Sequence, residues 1–181
     1  MDYQAIINQY YPEDNALRRL LLCHSRQVAD RSLSIARRHP ELQLDAAFLE
    51  SAAMLHDIGI FRCHAPSIWC VGGEPYIRHG LIGGQLLRAM GQAYEPYARV
   101  CERHTGTGIT RRQIQEQGLP LPAEFCYEPE TLEEQVVCYA DKFYSKSHPE
   151  RVLTVDEAAQ SLAKFGQEGV EKFLKWSEKF E

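Results

Sequence analysis

The chain has 181 residues, 44% apolar, 25% charged and 10% aromatic, the composition of an ordinary globular protein with enough apolar material for one sizeable core. That composition excludes a disordered, collagenous or fibrous chain, and the length predicts a single domain over residues 1–181. With 20 basic and 25 acidic residues the net charge is −5, so no general positive field exists to hold a nucleic-acid backbone. The apolar stretch around Leu20-Leu21-Leu22-Cys23 is far shorter than a membrane-spanning helix requires. The start, Met1-Asp2-Tyr3-Gln4-Ala5, carries an acidic residue where a signal peptide has its basic region, and the chain is expected in the cytoplasm. Six cysteines with no CxxC pair read as reduced, mostly buried thiols.

Apolar periodicity predicts helix almost throughout, with no run of alternation typical of a half-buried strand. A first helix runs from Asn15 to His39 and stops before Pro40. A second starts at the N-cap Asp45, continues through Leu55, and ends at Gly59. Residues 60–76 hold Pro66, Gly72, Gly73 and Pro75 and predict a long loop, a lid or wall beside a site. Within it Trp69 and Tyr76 are read as stacking on a planar group of the substrate, with covering of the core as the alternative for Trp69. Helices follow at about 77–90 and 94–104, then an irregular 109–130 segment with one short helix before Gly118. Thr131-x-x-Glu134 and Thr154-x-x-Glu157 fit the capping box and open helices at about 132–147 and 155–179.

Four histidines and two aspartates fall where they can converge: His24, His56, Asp57, His79, His104 and Asp141. A lone histidine on a helix is an ordinary structural residue, and a lone aspartate is ordinarily solvated. Placement changes that reading. His24 shares a face with Val28 and Ile35, and His104 with Tyr97, Val100 and Cys101. His79 leads a stripe of Ile82, Leu86 and Met90, and Asp141 lies between Val137 and Tyr144 on a core-facing row. Imidazoles and carboxylates entering one helical core are best explained by a metal, because coordination compensates their desolvation.

The ordered set His24-Ser25, Leu55-His56-Asp57-Ile58-Gly59 and Ala140-Asp141-Lys142 resembles the H…HD…D signature of the HD-domain metal-dependent phosphohydrolases, in its HDIG variant. His79-Gly80 and Arg103-His104-Thr105 resemble the added histidines of the H…HD…H…H…D subset, which holds two metals and includes diadenosine tetraphosphate hydrolases and HD-type di-iron oxygenases. The resemblance covers about residues 20–147 and implies an all-α HD-type helical bundle, with the 155–179 helix packing on it. It further implies that His24, His56, Asp57 and Asp141 bind one metal and that Asp57 bridges to a second held by His79 and His104, with His56 and Asp57 catalytic. Spacing by itself does not assign these shells. The sequence departs from many HDIG proteins at Ile60, where they carry lysine, and Arg62 or the loop after it is the substitute phosphate contact. Arg78, Arg103, Lys142 and Lys146 flank the proposed ligands and are read as further contacts to phosphate, with solvated surface charge as the plain alternative.

Mixed imidazole and carboxylate ligation suits two divalent transition-metal ions, iron foremost, with manganese, cobalt, nickel or zinc also compatible. Two such ions bring +4 and the two aspartates return −2, so the site should attract an anion. The chain has no GxSxG elbow and no Walker A sequence. The expected activity is hydrolysis of a phosphoester or phosphoanhydride in a small molecule, a nucleotide or dinucleotide, by metal-activated water. The alternatives are a di-iron oxygenase and a catalytically idle module that binds a nucleotide.

Overall fold

The computed structural model describes residues 1–181 and places nine α-helices and five short strands. The helices are α1 (Tyr3–Tyr10), α2 (Ala16–Arg38), α3 (Ala46–Leu55), α4 (His79–Arg88), α5 (Glu95–Arg103), α6 (Arg111–Glu116), α7 (Leu132–Asp141), α8 (Val155–Leu162) and α9 (Gln167–Phe180). Their starts follow local chemistry. Asn15 accepts from the Arg18 amide at 3.0 Å and Asp45 from the Phe48 amide at 3.0 Å. Thr131 and Thr154 each close a reciprocal capping box with Glu134 and Glu157, so amides left unpaired at the first turn find oxygens.

Helix α3 carries buried side chains over most of its circumference, from Leu49 through Leu55, and such a helix belongs at the centre of a bundle. It packs against α1, α2, α5 and α7, while α4 lies against α5. One contiguous core joins Ile6 and Ile7 of α1, Val28 of α2, Val137 and Tyr139 of α7, and Phe173, Trp176 and Phe180 of α9. No helix is long and apolar enough to cross a membrane.

The fold is mostly helical, close to the all-α expectation, with a few short strands added. The structure differs from the sequence expectation in four places. Residues 60–76 are not a plain loop: β1 (Cys63–Ala65) pairs antiparallel with β2 (Cys70–Val71) and parallel with β3 (Glu74–Pro75). Strands of two or three residues are too short to carry a period-two pattern. The helix expected over 132–147 ends at Asp141, and β4 (Tyr144–Ser145) with β5 (His148–Val152) forms an antiparallel hairpin. All five residues of β5 are exposed, so neither face shows an apolar row. The helix expected over 155–179 is broken at Gly166, whose φ of +119° lies outside helical space. Finally α1 precedes the first expected helix, capped by Asp2.

Gly59 also acts differently from the expected terminator. Its φ is −84°, accessible to any residue. A Cβ there would collide with the His79 carbonyl and the Gly83 amide, and one on Gly80 with the Cys101 carbonyl. These glycines let the turn after α3, the start of α4 and the end of α5 approach backbone to backbone.

Candidate metal centre

Five of the six predicted residues sit at helix ends, and the close approach at Gly59 and Gly80 brings those ends together. His56 caps α3 and Asp57 follows it; His79 opens α4; His104 caps α5; Asp141 closes α7. His24 alone lies inside a helix, on the buried face of α2 with Ser25 and Val28. All six are buried.

Three of the imidazoles are fixed in one tautomer. Nδ1 of His56 lies 2.6 Å from the Ala53 carbonyl, that of His79 2.6 Å from the Tyr76 carbonyl, and that of His104 2.7 Å from the Cys101 carbonyl. A carbonyl only accepts, so each Nδ1 carries a proton and each Nε2 is aimed at the centre, as a lone pair in His79 and His104. In all three rings the acceptor is the carbonyl three residues earlier, at a helical turn that ends at or adjoins the histidine.

The Nε2 atoms converge on Asp57. Its Oδ2 lies 3.3 Å from His24 Nε2 and 3.1 Å from His56 Nε2, while its Oδ1 lies 3.5 Å from His79 Nε2 and 3.4 Å from His104 Nε2. One carboxylate therefore faces two separate imidazole pairs. Asp141 Oδ1 joins the first pair, at 2.9 Å from His24 and 3.6 Å from His56. His24 Nδ1 and Nε2, His56 Nε2 and Asp57 Oδ1 have no hydrogen-bond partner, while Asp57 Oδ2 meets the Lys146 ammonium. His79 Nε2 and His104 Nε2 face each other at 3.0 Å, lone pair toward lone pair. Orphaned buried donors and opposed lone pairs are costly by themselves and are relieved by a cation between them. The residues present thus fit a metal, and two donor groups, His24/His56/Asp141 and His56/Asp57/His104, have ligand atoms within 4.8 Å of one another.

Electrostatics agree with the geometry. Burial drives the His79 imidazole down to about 3, helped by neighbouring His104, and burial also lowers His104, so both are neutral and available as ligands at neutral pH. Burial acts downward on His56 too, but Asp57 and Asp141 outweigh it and raise it to about 9. Burial pushes both carboxyls up; Lys146 and His56 hold Asp57 well below the usual carboxylate range, and Lys142 with Lys146 does the same for Asp141.

The residues read as substrate contacts divide. Lys146 Nζ lies 2.6 Å from Asp57 Oδ2 and Lys142 Nζ 2.9 Å from Asp141 Oδ2, both at the centre. Arg103 is engaged elsewhere: its Nη1 donates to Glu130 at 2.8 Å and Glu134 at 3.0 Å, so it belongs to an ion-pair cluster at the start of α7. Arg78 pairs with Glu74 at 3.1 Å, and Arg62 lies over the Phe61 ring at 5.6 Å. Trp69 is 53% exposed with φ +60°, which removes the reading as core cover. Tyr76 stacks on His79 at 4.7 Å between ring centroids, supporting the imidazole.

One supporting residue escaped sequence reasoning. Tyr11, just past α1, donates its hydroxyl to the Ile58 carbonyl at 2.9 Å and accepts from the Phe61 amide at 3.3 Å, clamping the turn that follows Asp57. No local signal marks it, since its partners are about fifty residues away.

The HD-domain profile matches residues 21–145, well over half the chain, and the protein belongs to the HD-domain family. An uncharacterised protein of Methanocaldococcus jannaschii is 37% identical over 109 residues, 60% of this chain and 56% of that protein. A tRNA (cytidine(56)-2'-O)-methyltransferase of Picrophilus torridus is 34% identical over 101 residues, 56% of this chain and 25% of the enzyme. The chain thus spans about half the length of the first and a quarter of the second. Among solved structures, the HD domain of the L. monocytogenes phosphodiesterase PgpH superposes with a TM-score of 0.52 at 12% identity, over 95% of this chain and 93% of that one. The same domain in complex with cyclic-di-AMP gives a TM-score of 0.52 at 13% identity, over 96% and 92%. At these identities the likeness is one of fold.

Proposed function

We propose that the protein is a metal-dependent phosphohydrolase with two divalent transition-metal ions, one held by His24, His56, Asp141 and Asp57 Oδ2, the other by His79, His104 and Asp57 Oδ1. The observation that carries this reading is the orientation of Asp57, whose two oxygens face two different imidazole pairs. Two divalent ions held by these residues would lower the pKa of a water molecule and stabilise charge on attacking and leaving oxygens. The chain's own residues supply the rest. The carbonyls of Ala53, Tyr76 and Cys101 lock three rings for coordination, and Tyr11 fixes the Asp57 turn. Lysines 142 and 146 add positive charge, which favours an anionic substrate.

The reaction we assign is cleavage of a phosphoester or phosphoanhydride in a small molecule. The PgpH complex with cyclic-di-AMP shows a protein of this fold taking a nucleotide, which supports that class here. We read residues 1–181 as one HD domain, with about 20–147 building the centre and the C-terminal helices packing on it, consistent with the single core that joins α9 to α7. The test is a screen of nucleotides, dinucleotides and sugar phosphates with the protein loaded in turn with manganese, cobalt and, under anaerobic conditions, ferrous iron. Metal-dependent phosphate or nucleotide release supports the assignment. Oxygen consumption by the ferrous protein with no release from any phosphorylated compound would overturn it.

A further inference from the structure

Each carboxylate at the centre meets an ammonium group before any ion enters. Asp57 and Asp141 bring −2, and the ammonium groups of Lys146 and Lys142, at 2.6 and 2.9 Å from them, bring +2. Backbone carbonyls engage Nδ1 of three of the four imidazoles and leave each Nε2 facing the centre. A centre built only to hold two divalent ions has no use for two lysines, because cations repel one another at these distances. Lysine stems are flexible, and a buried ammonium is costly unless it meets a counter-charge. The pairing therefore makes sense if the counter-charge changes when ions and substrate arrive.

Position separates the two lysines from the ligands behind them. Asp57 is fully buried, whereas the Lys146 side chain is 15% exposed and lies at the turn of the β4–β5 hairpin, next to exposed Ser147 and His148. Its ammonium thus lies on the more exposed side of Asp57, at the hairpin turn. With two divalent ions bound, the aspartates and lysines together leave +4 at the centre. A phosphodiester returns one negative charge per phosphate, while a terminal phosphoryl group carries about −1.5 to −2 at neutral pH and exposes three acceptor oxygens.

Resting on the phosphohydrolase reading, we infer that Lys146 is a substrate-binding residue that engages a terminal phosphoryl oxygen, and that the site is built for terminal phosphate groups, monoesters or polyphosphate ends, rather than for diesters. Lys146 would turn from Asp57 Oδ2 to a phosphoryl oxygen once the carboxylate served as a metal ligand. A terminal phosphoryl group has a third free oxygen to offer the ammonium, which a diester lacks because two of its oxygens are esterified.

The test is calorimetric titration of the manganese-loaded protein with inorganic phosphate and, separately, with dimethyl phosphate, with ion content measured first. The wild-type protein is expected to bind phosphate at least about tenfold more tightly than dimethyl phosphate. Lys146→Met should weaken phosphate about tenfold or more, the loss of one charge-assisted hydrogen bond, with dimethyl phosphate less affected and ion content unchanged. Lys146→Arg should retain most of the phosphate affinity. Unchanged phosphate binding in Lys146→Met, equal binding of the two ligands by the wild type, or loss of ions from Lys146→Met would each overturn the inference and leave the lysine as a counter-charge for Asp57. A wild-type protein that takes up no ion would remove the parent reading as well, and that result is seen before any phosphate is added.

Discussion

At the scale of single residues, the position of the Nδ1 proton decides what the centre can do. Because three imidazoles give Nδ1–H to a carbonyl three residues earlier, their Nε2 atoms are aimed before a ligand arrives, and Asp57 has an oxygen for each pair. Asp57→Ala should lose both ions and all activity while the helices remain, since burial of the apolar faces supplies most of the stability. Circular dichroism together with elemental analysis reads the two effects separately, and full ion content in the variant would reject the shared ligand. Arg103 tests the opposite case. Its side chain is 10% exposed and that of Glu134 only 3%, so Arg103→Ala removes one of two guanidinium partners from a buried carboxylate that Arg99 still meets and should cost about 1–2 kcal/mol in denaturant unfolding. Its KM for any substrate found should stay at the wild-type value.

Among the elements, close approach rather than helix propensity places the ligands. Gly59→Ala inserts a methyl group against the His79 carbonyl and the Gly83 amide, both backbone, so the α4 start must shift. Overpacking of this kind costs about 1–3 kcal/mol, and the shift should also weaken ion binding at His79 and His104. A thermal melt and a metal titration check the pair of effects; normal behaviour in both would show that the contact is dispensable. Helix starts were legible from the caps at Asn15, Asp45, Thr131 and Thr154, because a cap is a local event. The six candidate ligands were legible as inward-facing polar residues and through their resemblance to a known signature. The 144–152 hairpin was not, because its exposed strand has no apolar face, and its turn is what carries Lys146 to Asp57. Nor was the clamp by Tyr11, which depends on α1 docking beside α3.

For the molecule as a whole, ions and protons compete for the same buried groups. In chelator-treated protein His56 is raised from 6.5 to about 9, so its contribution to stability is complete below pH 6.5 and is lost as pH rises through 9. His79 is lowered from 6.5 to about 3, so stability is lost as pH falls below 6.5, where the unfolded chain takes a proton that the native ring refuses. The ion-free protein should therefore melt at its highest temperature near pH 6.5 and decline on both sides. Bound ions replace the His56 proton and should raise the melting temperature and hold it across the alkaline limb. A chelated protein whose melting temperature is flat from pH 5 to 9 would contradict this.

The central claim is that one carboxylate joins two imidazole pairs into a two-ion centre, and ion stoichiometry tests it most directly. Purified protein, stripped and reloaded with manganese or anaerobic ferrous iron, is predicted to hold two ions per chain by elemental analysis. His104→Ala is predicted to hold one, retained by His24, His56, Asp57 and Asp141. A wild-type protein holding no ion or a single ion, or a His104→Ala variant still holding two, would contradict it.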